Sequence, residues 1–415
     1  MHSAALLAVV ALLAAAPAHT APSPTDRCCM TDPSAWYRDP PEKIARRFDL
    51  YRKMGVGVLR VEVDWRSMET AEGHWDPSYI RSYLELARRH GFRIKLIVGV
   101  LMAPPGWFLG RYPEARIVDQ NGQWSRNTMS FWYPGLRSLI DEKTRRIVRV
   151  LRDLRVLDLV DYVIPSLGPA GEAVYPVPWT LGPDVREQTY WCYDKGAQRD
   201  FRARMRRKYG AIAAANTRWS TEFTSWEAAR VLPPGTRPGP YWDDVLAWYR
   251  DAKREFIRWQ VESTRRHLGR DRRILIYVPG TAYNEAEWRE AVATARGNDH
   301  VMMMADSFFL IDFAARNGCW LQYTGAENAP EVARLRRYMG ERGYTRVRMW
   351  AENAGVFGAA RDPLHLARVV VENHLFGLDY THAHFAFEAD GVTPNAVFLA
   401  LEEAFARIRS GRGVR

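Results

Sequence analysis

From about residue 40 onward the chain alternates short runs rich in Val and Ile with longer stretches of helical period. That alternation is the pattern of a parallel α/β fold, because two parallel strands can be joined only by a long crossover, usually a helix. Strands are expected over Gly57–Trp65, Arg93–Leu101, Leu159–Ser166, Arg273–Val278, Trp320–Thr324, Arg346–Trp350 and Tyr380–Phe385. A helix over Tyr79–His90, ended by Gly91, separates the first two. An eighth strand has only the short Arg27–Thr31 segment to draw on. The fold class is therefore α/β, a (β/α)8 barrel, with one long insertion after the fourth strand, over about residues 176–270.

In such a barrel the C-terminal ends of the strands share one face, and polar residues gather there: Asp64, Glu172, Thr324, Glu352, and His382 with His384. The two histidines alternate on the last expected strand and so face one side, towards the interior or a packed polar layer. Metal ligation by them needs a third ligand that the sequence does not supply, and Cys28, Cys29, Cys192 and Cys319 have no C-x-x-C spacing. No metal and no cofactor are expected. The insertion carries Trp191, Trp219, Trp226, Trp242, Trp248 and Trp259, more than a crossover helix needs, and is read as an excursion over the barrel mouth. No repeat or flexible linker divides residues 19–415, which are read as one domain.

The leader, residues 1–18, has an apolar core from Ala4 to Ala16 that is too short to span a bilayer, and Ala16-Pro17-Ala18 has the small-x-small cleavage pattern. A secreted or periplasmic protein without a membrane span is expected. The net charge of +11 comes largely from arginines on helical faces such as Arg202–Lys208. No nucleic-acid-binding signature accompanies them, so nucleic acid is not expected as a partner. The 16 tryptophans and 19 tyrosines are compatible with stacking on sugar rings, although aromatics also fill cores; Trp107, Trp179 and Trp350 are the candidate platforms.

Leu167-Gly168-Pro169-Ala170-Gly171-Glu172 places a carboxyl just past a strand in a Gly/Pro loop, and Arg346–Ala354 brings Glu352 to another strand end. Two carboxyls across one cleft are the minimal equipment for cleaving a glycosidic bond. One protonates the leaving oxygen; the other activates water or attacks the sugar. Either could also be an ordinary ion-paired loop residue.

LGPAGEAVYP at 167–176 resembles the β-amylase family's motif around its general acid, and QTYWCYDKGAQRDF at 188–201 the segment that follows it. LQYTGAEN at 321–328 is similar to the strand that ends in a threonine on a mobile inner loop, MWAENAG at 349–355 to the motif around the general base, and VEVDWRSMETAEGHWD at 61–76 to the second strand. The matches keep their order over about residues 55–355. The resemblance implies an inverting glycoside hydrolase with Glu172 as general acid and Glu352 as general base. Glu62, Trp65, Thr324 and Asn353 are then expected at the sugar, with an oligosaccharide or polysaccharide such as a glucan as substrate. Glu327, which also follows a strand, is the competing second carboxylate.

The chain departs from that family where the substrate is gripped. The His-containing loop that closes over a starch chain is replaced by Val100–Phe108, which with Tyr112-Pro113-Glu114 looks like the bacterial β-galactosidase barrels of family 42. The family's lysine after the fifth strand is replaced by Tyr277–Thr281. Two alternatives therefore stand beside the inverting reading: a retaining, β-galactosidase-like glycosidase, and a sugar-binding barrel without catalysis.

Overall fold

The computed structural model describes residues 23–34, 38–102, 104–176, 189–233, 239–279, 286–287, 306–353 and 362–411. Trp179 and the leader lie outside the described residues. Eight parallel strands form a closed barrel: β1 (Cys28–Thr31), β2 (Val58–Asp64), β3 (Arg93–Gly99), β4 (Val160–Pro165), β5 (Arg273–Val278), β6 (Trp320–Thr324), β7 (Met349–Glu352) and β8 (Gly377–Tyr380). The short segment around Cys28 is the eighth strand, and it closes the ring by pairing with β8 on one side and β2 on the other.

A helix follows each strand: α1 (Pro41–Met54), α2 (Ser78–Arg89), α3 (Leu136–Asp153), α4 (Pro240–Leu268), α5 (Ser307–Asn317), α6 (Ala329–Glu341), α7 (Pro363–Glu372) and α8 (Ala396–Ser410). Their ends follow local chemistry. Pro41 opens α1, whose last turn is closed by Gly55 in the left-handed region at φ 86°. The side chains of Asp362 and Asn395 accept the first free N–H groups of α7 and α8.

Strand alternation sorts the side chains. On β2, Leu59, Val61 and Val63 face outward into the layer shared with the helices, which leaves Val58, Arg60, Glu62 and Asp64 inward. The floor of the interior is apolar and aromatic, with Cys29, Val58, Tyr162, Leu275 and Trp350 packed together and Trp320 and Phe376 against them. Above it the interior turns polar, with Arg60, Lys95, Gln322 and Asp379 all buried.

Two strands differ from the sequence reading. β7 starts at Met349 rather than Arg346, because the chain is still in the turn after α6, where Val347 N–H donates to Tyr344 O (3.3 Å). Glu352 is consequently the last residue of the strand itself. β8 is Gly377–Tyr380 rather than Tyr380–Phe385. Residues 383–386 instead form a 3-10 turn, held by the Asn395 amide, which donates to Phe385 O (2.9 Å) and Phe387 O (3.0 Å). His382 thus precedes the turn and His384 lies within it, rather than the two alternating on a strand. Among the described residues no group of three His, Cys, Asp or Glu side chains is placed to hold a metal.

The insertion contains helices over Lys195–Tyr209 and Ile212–Trp219. Its described tryptophans do not wall a cleft: Trp191, Trp219, Trp226, Trp242 and Trp248 are buried with Tyr175, Phe201 and Tyr249 in a second apolar cluster, and Trp259 packs on the main core. Part of the basic run pairs internally, Arg204 with Asp200 and Glu255 and Lys208 with Asp244. The four cysteines are buried free thiols. No described helix is long and apolar enough to cross a membrane.

Candidate active site

Glu172 owes its position to a tightly folded loop. After β4 the chain makes a 3-10 turn over Pro169–Gly171 in which Ala170 (φ 53°) and Gly171 (φ 83°) are both left-handed. The loop folds back on itself across Gly168, where a Cβ would lie 2.2 Å from Val174 O and 2.6 Å from Glu172 O, so only glycine fits. Ala173 N–H donates to Tyr277 O (3.2 Å), tying the loop to the end of β5.

Glu352 enters from β7, and Thr324 from the neighbouring β6 lies between the two carboxyls. Its hydroxyl is 2.9 Å from Glu172 Oε1 and 3.2 Å from Glu352 Oε2. Laid end to end, the 2.9 Å and 3.2 Å bonds cap the separation of those two oxygens at about 6.1 Å. A hydroxyl has one proton to donate and lone pairs with which to accept, so it bridges a carboxylic acid and a carboxylate but not two carboxylates.

Below Glu352 lies a buried charge cluster. Arg60 Nη1 donates to Glu352 Oε1 (2.7 Å) and to the Tyr277 hydroxyl (3.1 Å) and is 3.7 Å from Asp379 Oδ2. Lys95 Nζ donates to Asp379 Oδ2 (3.0 Å) and Gln322 Oε1 (2.8 Å), with the Trp350 ring 3.6 Å away. Gln322 Nε2 donates to Asp379 Oδ2 (2.7 Å). Two cations thus face Asp379 and Glu352, and the cluster is neutral when both carboxyls are ionised.

Burial pushes the Glu172 carboxyl up to about 7 against the Thr324 bond and the charge of Arg60. Burial likewise pushes Glu352 up to about 8, opposed by Arg60 and reinforced by Asp379 and Glu172. Burial would also raise Asp379, but Lys95 and Arg60 hold it below its ordinary value. Glu172 and Glu352 share Thr324 and feel each other's charge, so they titrate as a pair with one proton between them near neutrality. The partners place it. Arg60 donates directly to Glu352 and reaches Glu172 only through its charge, so these contacts favour the form with Glu352 ionised, although burial lifts Glu352 the further of the two.

The other expected site residues separate into groups. Glu62 stands above Arg60 on β2 and, with Asp64 and Tyr79, lines a small cavity of about 50 Å³. Burial first, and then the Glu62 carboxylate beside it, hold Asp64 well above its ordinary value. Asn353 is buried, and its Oδ1 accepts from Thr381 N–H (2.9 Å), which fastens the ends of β7 and β8 together. Trp65 and Trp350 have no exposed surface, which corrects their reading as sugar contacts: neither ring has a free face. Trp65 Nε1 is bonded to Glu69 Oε2 (2.6 Å), and Trp350 lies in the barrel interior. Trp107 is partly buried, edge-on to Trp65, with Nε1 donating to Glu69 O (2.8 Å). The charge of Glu327 bears on Tyr323, whose side chain belongs to the outer layer.

Sequence reasoning passed over Arg60, Lys95, Tyr277, Gln322 and Asp379. The available signal was a charged or amide residue on the inward side of otherwise apolar strands, as in VLRVEVD, RIKLIVG, WLQYT and GLDY.

The family model for glycoside hydrolase family 42, described as beta-galactosidase, matches residues 32–303. The chain belongs to family 42. It is also 27% identical over 222 residues to the thermophilic beta-amylase of Thermoanaerobacterium thermosulfurigenes, a match covering 47% of this chain and 39% of that protein. Against the beta-galactosidase of Thermus thermophilus it is 28% identical over 244 residues, covering 57% and 35%. These matches span well under half the length of either relative. Among solved structures, the catalytic domain of beta-amylase from Paenibacillus polymyxa superposes with a TM-score of 0.75 at 17% identity, over 92% of this chain and 98% of that one. The beta-galactosidase Gan42B superposes with a TM-score of 0.66 at 15% identity, over 92% and 56%. Both likenesses show the barrel, and the mixture of β-amylase and family 42 features read from the motifs is present in both comparisons.

Proposed function

We propose that this family 42 member hydrolyses glycosidic bonds by a retaining mechanism, with Glu172 as acid and base and Glu352 as nucleophile. The observation that carries the reading is the Thr324 bridge. Retaining pairs stand about 5 to 5.5 Å apart and inverting pairs about 6.5 to 9.5 Å, since the latter must admit a water beside the sugar. A cap of about 6.1 Å between the bridged oxygens favours retention.

In this reading Glu172 protonates the glycosidic oxygen as the bond to the anomeric carbon breaks, and Glu352 Oε2 forms the glycosyl ester. Arg60 holds Oε1 by the shortest bond (2.7 Å), whereas Oε2, held more loosely by Thr324 (3.2 Å) and Gln322 Nε2 (3.4 Å), faces Glu172 and is the attacking atom. The Glu172 carboxylate then takes a proton from water, which releases the sugar from the ester and restores both groups. Terminal β-galactosides are the first substrates to try, in line with the family's description.

A second reading, an inverting hydrolase of α-glucans, is favoured by the LGPAGE and MWAENAG segments and by the beta-amylase relatives. A product screen over β-galactosides and α-glucans, run with Glu172→Gln beside the parent, separates the readings. Product from β-galactosides supports the first, and product from α-glucans alone the second. Binding without product, unchanged by Glu172→Gln, would make the barrel a sugar-binding module and overturn both. The leader over residues 1–18 supports export of the protein to its substrate.

A further inference from the structure

Lys253 is a buried amine outside the charge cluster, and burial holds its pKa well below the ordinary lysine value. It sits in the middle of α4, 2% exposed, and among the described residues it has no carboxylate partner. Its Nζ donates instead to two backbone carbonyls, that of Leu167 and that of Val174 (2.8 Å). The Phe131 ring lies 4.1 Å from the nitrogen, with Tyr175 and Phe256 beyond. Leu167 and Val174 bracket the loop that carries Glu172, so one side chain ties its two ends together.

That tie answers a physical need. Two consecutive left-handed residues and the close pass at Gly168 make this a strained loop, and such conformations persist only where the surroundings over-determine them. The loop's own bonds, Gly171 N–H to Gly168 O (3.1 Å) and Glu172 N–H to Pro169 O (2.9 Å), fix the turn but not its height above β4. Leu167 and Val174 are fully buried, so their carbonyls need partners from within the protein. α4 supplies a second hold four residues earlier, where the Tyr249 ring stacks on Tyr175 at 3.9 Å and Tyr249 O accepts from the Tyr175 hydroxyl (2.8 Å). An amine donates to two carbonyls whether or not it carries its third proton, so the hold does not depend on the charge.

We propose that Lys253 is a positioning residue for Glu172: by joining the carbonyls of Leu167 and Val174 it sets where the carboxyl meets Thr324. The inference rests on the reading of Glu172 as the acid, and it extends the active site to a helix core that touches no substrate.

The test is a carbon-13 NMR titration of protein labelled at the glutamate δ-carbon, with Glu172 assigned by the signal lost in Glu172→Gln. The groups facing Glu172 are Arg60 from β2, Thr324 from β6 and Glu352 from β7. In the parent its midpoint should lie at about 7. Lys253→Met has no donors and frees both carbonyls, so the loop should shift and carry the Glu172 carboxyl out of its fully buried position, and the midpoint should fall by about one unit or more towards the ordinary value. Lys253→Gln, with a shorter stem, should hold one carbonyl and fall by about half as much. A folded Lys253→Met variant with an unmoved midpoint overturns the proposal. Should that variant not fold, an unmoved midpoint in Lys253→Gln overturns it equally. Full turnover in Glu172→Gln would sink the acid reading, whereas lost turnover there with an unmoved midpoint in Lys253→Met would sink only the role of Lys253.

Discussion

Replacing Arg60 by methionine removes one of the two cations that balance Glu352 and Asp379 while keeping most of the side-chain volume. The guanidinium nitrogen is 2.7 Å from Glu352 Oε1, and charge centres about 4 Å apart attract by about 4 kcal/mol at an effective dielectric of about 20. At 1.36 kcal/mol per unit, this corresponds to a rise of about 3 units in the Glu352 titration. Already raised by burial, the nucleophile would then keep its proton through the whole neutral range, and its ionised fraction there would fall accordingly. The acid limb of kcat/KM against pH should move up by two to three units, and turnover near pH 7 should fall by about 10²- to 10³-fold. Stability carries the same signature. An acid whose folded pKa lies above its unfolded value binds extra protons when folded, so its stability contribution is intact below the unfolded value near 4.5 and declines as pH rises towards the folded one. In Arg60→Met that decline should run to higher pH than in the parent, which thermal melts at pH 6 and pH 9 would show. The assay is a pH profile on an aryl β-galactoside or whichever glycoside the product screen yields. An acid limb within half a unit of the parent's, with neutral turnover within tenfold, would refute the claim that Arg60 sets the charge on Glu352.

Glu172→Gln and Glu352→Gln should each lower kcat by about 10²-fold or more with melting temperature little changed, whereas Glu327→Gln should stay within tenfold; steady-state kinetics and melts check this. Trp219→Ala opens the aromatic cluster of the insertion and should destabilise the protein by about 3 to 5 kcal/mol in denaturant unfolding, as expected for a core tryptophan and not for an exposed sugar platform. Protein recovered from outside the cytoplasm should begin near His19, which N-terminal sequencing would show; Met1 on cytoplasmic protein would contradict export.

The barrel was legible because parallel strands buried on both faces must be apolar runs separated by crossovers, and six of the eight strands lie within about two residues of their sequence bounds. β7 and β8 shifted because turn bonds at Val347 and Asn395, which the residue pattern does not reveal, hold the neighbouring residues out of the sheet. Glu172 and Glu352 could be singled out because each follows an apolar run inside a distinctive motif. Arg60, Lys95, Gln322 and Asp379 escaped because each is one polar residue in a separate strand, and their partnership exists only once the barrel closes. The tryptophans misled for a related reason: composition does not tell a stacking platform from a core, and Trp65, Trp191 and Trp350 are core.

The gap that Thr324 bridges is tested most directly by the anomer of the first-formed product. Proton NMR on a β-linked substrate, recorded before mutarotation, should show the β-anomer appearing first and the α-anomer only as the sugar equilibrates. An α-anomer at the earliest times would mean that water, and not Glu352, attacks the sugar, and would contradict the retaining account even if both glutamates proved essential.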